Sequence, residues 1–171
     1  MENTMVTIIK YLQDNSYAAL GLAGPEDVLT TSRPARDMPA LSVTVTPLRT
    51  MPAGGPGPAG LWVVAGTRAE QFLTVLELEC RHRGDAAAGD VYWNIARRLR
   101  DAVETLLAGP TKAGLGMDRK DWTDPEEPVV AGRIRFEYQS DEALDDPERP
   151  AVRSWYLTYE VRWWRPIPEG E

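Results

Sequence analysis

The chain has one cysteine, Cys80, and one histidine, His82, in 171 residues. A single cysteine excludes any disulfide within the chain. A single histidine leaves no second imidazole for a two-histidine metal site. Cys80 and His82 stand two apart on one strand pattern, and an inward-facing strand cysteine reads as a small core residue rather than a nucleophile. Nowhere do apolar residues run for the roughly 20 positions that span a bilayer. The beginning, Met1-Glu2-Asn3-Thr4, lacks the basic segment and apolar core of a secretion signal. A cytoplasmic product with no membrane partner is therefore expected. Cations are in deficit: the formal net charge is −7, which argues against a protein that grips nucleic acid, since such binding neutralises phosphates with surplus Lys and Arg. Internal repeats are absent as well. What remains, 43% hydrophobic and 26% charged residues, is ordinary for one globular domain covering 1–171.

The strongest pattern runs from Gln71 to Gly109. Phe72, Leu76, Leu78 and Cys80 alternate with Glu77, Glu79 and Arg81, which predicts a half-buried strand. After Arg83-Gly84-Asp85, a turn with Asp85 or Asp90 as helix cap, Val91, Ile95, Leu99, Ala102, Val103 and Leu106 recur at three- and four-residue steps. That spacing predicts an amphipathic helix ending at Gly109-Pro110. The strand's apolar face and the helix's apolar stripe can cover each other, which places the core between them.

Around this pair, Met5, Ile8, Ile9 and Leu12 predict a short helix over Thr4 to Asp14, capped by Asn3 or Thr4. Tyr17, Leu20 and Leu22 lead into a turn at Gly24-Pro25. Strands are predicted over Leu41 to Leu48, Leu61 to Ala65, Arg133 to Gln139 and Val152 to Trp164. The expected fold is α+β: a mostly antiparallel sheet of about five strands packed against one long amphipathic helix, with a short N-terminal helix. Mobile loops are expected near 51–60, which is rich in Gly and Pro, near 110–131, and near 140–150, which is acidic.

No combination of residues calls for catalysis, a cofactor or a metal. The acidic segment with Asp141, Glu142, Asp145, Asp146 and Glu148 lacks the ligand spacing and central glycine of a calcium loop. Gly114-Leu115-Gly116 is not followed by the Lys-Ser/Thr of a phosphate cradle. Aromatic residues, by contrast, crowd the last strand. Trp155, Tyr159 and Trp163 take the inward positions, and Tyr156 and Trp164 fall on the opposite face, where large rings need another surface. Together with Trp122 in the long loop, Tyr156 and Trp164 are the candidate partner contacts.

The order of these elements is a helix, strands, a long strand ending in Leu-Glu-Leu-Glu-Cys, a helix with Ala-Arg-Arg-Leu-Arg-Asp-Ala-Val, and a closing strand pair ending in Tyr-Glu-Val-Arg-Trp. It resembles the tail terminator, or tail completion, proteins of long-tailed bacteriophages and contractile injection systems. The resemblance implies a non-enzymatic virion protein assembled in the host cytoplasm and located at the tail or neck. Copies would form a hexameric ring that caps the tail tube, stops its polymerisation and joins it to the head-completion or neck protein. DNA would only pass through the channel, and an acidic surplus suits passage without binding. A head-completion or neck connector is the nearest alternative. A small-molecule-binding α+β domain, or an enzyme using Cys80 and His82 or the acidic loop, lies further off.

Overall fold

The computed structural model describes residues 2–30, 39–57, 60–64, 66–84, 90–112, 116–145 and 152–167. Helix α1 spans Glu2–Asp14, and strands β1 (Val28–Leu29), β2 (Leu41–Pro52), β3 (Trp62–Val64) and β4 (Thr67–Arg83) follow. Helix α2 spans Asp90–Lys112, and β5 (Met117–Asp121), β6 (Val129–Asp145) and β7 (Val152–Pro166) complete the chain.

All the described strands belong to one sheet, with six in the order β1-β2-β4-β7-β6-β5 and β3 paired to β4 outside that line. β1 runs parallel to β2 and every other pair is antiparallel, so the sheet is mixed, and it curls into a half-barrel. This corrects the expected sheet of about five strands against one long helix: there are more strands, and two helices share the covering of a curved sheet. The missed strands have a physical explanation. β1 is two residues long and offers no period to read. β5, Met-Asp-Arg-Lys-Asp, has one large apolar residue and reads as loop, because it is held by its ladder with β6 and by side chains of α1 rather than by an apolar face of its own.

Those contacts close the sheet edge. The Thr7 hydroxyl accepts from the Lys120 N–H at 3.1 Å and from the Trp122 indole N–H at 3.0 Å, and donates to the Asn3 carbonyl at 2.7 Å. Asn3 accepts from the Trp122 backbone N–H at 3.4 Å and donates to the Asp121 carboxylate at 3.0 Å. The Arg119 guanidinium donates to the Thr4 hydroxyl at 3.1 Å. A bare strand edge is a template for aggregation, and a helix laid along it removes that hazard. Thr7→Val keeps the volume and leaves two N–H groups unpaired, so it should cost about 2 kcal/mol. A lowered Tm together with red-shifted Trp122 fluorescence is the expected readout. An unchanged melting curve would show that α1 does not close this edge.

One face of the sheet carries the core. Val43, Val45, Leu76, Leu78, Cys80, Leu157, Tyr159, Val161, Ile134 and Phe136 pack with Met5, Ile8 and Leu12 of α1 and Leu99, Val103 and Leu107 of α2. The deepest line on α2 is Ala96, Leu99, Val103 and Leu107, all at most 2% exposed. Ala102 and Leu106 flank it. The side chain of Val91 and the caps expected at Asp85 and Asp90 lie outside the described side chains.

The helix does not stop at Gly109-Pro110 but continues to Lys112. Proline has no N–H to give the carbonyl four residues earlier, and that carbonyl, on Leu106, instead accepts from the Tyr11 hydroxyl at 3.4 Å. Within the three segments expected as loops, β2 extends to Pro52, β5 and the start of β6 occupy 117–121 and 129–131, and β6 continues to Asp145. Residues 146–150 lie outside the described residues. Gly116 opens β5 with φ +66°, and a Cβ there would come within 2.4 Å of the Ile134 carbonyl oxygen, which explains glycine at this point without any phosphate.

Candidate functional site

The face opposite the core is set by the strand register. Side by side across β2, β4 and β7 stand Ser42, Arg81 and Ser154, then Thr44, Glu79 and Tyr156, then Thr46, Glu77 and Thr158. Further along come Arg49, Val75 and Glu160, then Met51, Leu73 and Arg162, and finally Gln71 beside Trp164. Because side chains alternate across a strand, all of these leave the sheet on the side away from α1 and α2.

One end of this face is buried and polar. Glu79 and Arg81, read from the sequence as solvent-facing, are 7% and 1% exposed. Arg81 binds the Glu79 carboxylate with two nitrogens, Nε at 2.8 Å and also Nη2. Ser154 donates to the same carboxylate at 2.7 Å and the Tyr156 hydroxyl at 2.9 Å. Burial, and then the Glu79 charge, push the Tyr156 phenol up to about 12, so it stays a donor across the working pH range.

The other end is half-buried and apolar. Met51, Leu73, Val75, Trp62 and Trp164 are all partly exposed. Trp164 meets Trp62 edge to face at 6.4 Å between centroids, and the Arg135 guanidinium lies 5.7 Å from the Trp164 ring. Both indole N–H groups are buried and find no acceptor among the described residues.

The structure does not gather the three candidate contacts into one place. Tyr156 and Trp164 share the open face but stand about 26 Å apart along β7, one holding Glu79 and the other against Trp62. Trp122 sits on the α1 side, half-buried, with the Lys120 ammonium 5.7 Å from its ring. It lines a cleft of about 170 Å³ with Thr7, Lys10, Tyr11, Asp14 and Met117. Trp62 and the Glu79–Arg81 pair went unnoticed in the sequence. The signal for the pair was faint: Ser42, Thr44 and Ser154 are small enough to let a neighbouring charge be enclosed, but only the register puts them beside it.

Cys80 is fully buried, and its thiol is pushed well above the ordinary range, chiefly by burial, so no thiolate is on hand at neutral pH. Burial also lowers the His82 pKa. At the middle of α2, Arg100 pairs with Glu104 and Asp141, both at 2.9 Å. The Tyr138 hydroxyl also binds Asp141, and that bond, aided by Arg100, holds the Asp141 carboxyl below its usual range. The acidic stretch thus supplies a strut between helix and sheet. No group of three or more His, Cys, Asp or Glu side chains among the described residues is placed to hold a metal ion. No described helix is long and apolar enough to cross a membrane.

No protein-family model matches the chain, and no curated protein matches it. Several chains of solved structures match it. One of them is a chain of the "Virion of native gene transfer agent (GTA) particle", at a TM-score of 0.48 and 16% identity over 94% of this chain and 97% of that one.

Proposed function

We propose that the chain is a structural protein of a phage-like virion, and more narrowly a tail terminator. In this reading, copies form a ring that caps the tail tube, stops its growth and meets the head-completion protein, while DNA passes through unbound. The observation that carries the reading is the open sheet face. Its apolar end, with Met51, Leu73, Val75, Trp62 and Trp164, has no described helix or strand laid over it. Arg49, Glu77, Glu137 and Arg162 surround it. An apolar centre with a charged rim is the composition of a protein–protein interface. The element order and the acidic net charge fit the same role. An enzyme reading rests on Cys80, whose buried thiol is a poor nucleophile.

Trp164 is the contact this reading favours most. Tyr156 already has a task at Glu79, and Trp122 faces the other side of the molecule. Trp164→Ser should leave helix content unchanged and weaken capping, so that tail tubes assembled with the variant lose their defined length. Electron microscopy of tubes grown with wild-type and variant protein makes the comparison. Tubes of normal length with the well-folded variant would remove Trp164 from the interface. Tubes whose length ignores even the wild-type protein would overturn the terminator role.

A further inference from the structure

Two stretches of the sheet have no neighbouring strand among the described residues. β1 pairs only with Val43 and Thr44, so the outer edge of β2 from Val45 to Pro52 is bare. β5 pairs with β6 only from Val129 to Ile134, so the outer edge of β6 from Arg135 to Asp145 is bare as well. α1 closes the edge of β5, whereas no described element closes these two. They lie at opposite corners of one sheet, with β4 and β7 between them.

The two edges complement each other. On β6 every residue from Glu137 to Leu144 except Asp141 is exposed, including Tyr138 at 41% and Leu144 at 44%. Glu142, among them, makes no ion pair with the described residues. On β2 the register slips between Pro47 and Arg49. The extra residue is Leu48, 53% exposed, and Arg49 beside it is exposed and equally without an ion pair among the described residues. One corner therefore offers apolar side chains with an anion, and the other an apolar side chain with a cation. Pairing like with like would set Glu142 against Glu142 or Arg49 against Arg49, and like charges brought together are repelled.

We infer that the β6 edge of one copy docks on the β2 edge of the next, head to tail, with Leu144 against Leu48 and Glu142 facing Arg49, since Glu142, Leu144 and Arg49 all leave the sheet on its open face. A head-to-tail contact between different patches closes into a ring when its rotation permits. The contact is made mainly by side chains, because Pro47 has no N–H to donate and the bulge at Leu48 interrupts a continuous ladder. This inference rests on the ring reading and names the surfaces that would build it.

Sedimentation of the full chain from micromolar to millimolar concentration tests it, using wild type, Arg49→Glu, Glu142→Arg and the variant with both changes. The wild type should assemble. Each single reversal should weaken association by about 10- to 100-fold, and the double reversal should restore most of it. Unaltered circular dichroism in the single variants keeps the comparison about assembly rather than folding. If the wild type assembles and the single reversals assemble equally well, the copies meet through other surfaces and the ring reading survives without these edges. A wild type that stays monomeric throughout overturns both.

Discussion

Leu99→Asp should leave the chain unfolded, while Arg98→Asp should melt close to wild type. The two positions are adjacent in sequence and opposite in environment: Leu99 is 2% exposed in the core line of α2, and Arg98 is exposed. Removing a buried leucine side chain costs about 2–5 kcal/mol, and a carboxylate in its place adds several more through lost hydration. A single domain has only about 5–15 kcal/mol in reserve. Leu99 also belongs to one core with residues from α1 and six strands, so the loss cannot be confined to one helix. Urea titration followed by circular dichroism measures both variants. Similar midpoints would mean that α2 does not present this face to the sheet.

Glu79→Ala should be the second most damaging change. It removes the carboxylate that Arg81, Ser154 and Tyr156 all donate to, and it leaves a guanidinium that is 1% exposed without its bidentate partner. Breaking a buried pair from one side costs about 3–5 kcal/mol, whereas replacing both charges by apolar groups of similar volume is often close to neutral. The combined change Glu79→Leu with Arg81→Met, joined to Tyr156→Phe so that no phenol loses its acceptor, should therefore be more stable than Glu79→Ala alone. A double-mutant cycle on residues 79 and 81 by chemical denaturation gives the coupling directly. Additive single changes would mean that the two side chains act independently and that the open face owes nothing to their pairing.

The pair also bears on how the open face is organised. Its enclosed charges anchor β4 to β7 at one end through Ser154 and Tyr156. The apolar surface around Trp164 is at the other end. Tyr156 and Trp164, alike in the sequence as outward aromatics of one strand, are thus unlike in use. One is tied into the molecule, and the other is the better candidate for meeting a second one.

Read by itself, the sequence determined what periodicity can carry. The Leu76-Leu78-Cys80 alternation and the three- and four-residue steps through Leu99 and Val103 place the central strand and the main helix. Both patterns arise from burial of one face, and burial leaves a regular imprint on residue type. The burial of Cys80 was legible for the same reason. Tertiary structure decided what depends on neighbours distant in sequence. Asn3 looked like a helix cap and Thr7 carried no signal, yet both bond to β5 and the residue after it, more than a hundred residues away, and so help hold a strand with hardly any apolar residue. Pro110 looked like a stop, yet Tyr11 takes over the carbonyl it orphans. Glu79 and Arg81 looked solvated, yet the register of three strands encloses them. In each case the deciding free energy is a hydrogen bond or an ion pair between segments that only the fold brings together, and such a partner leaves no periodic mark on either segment.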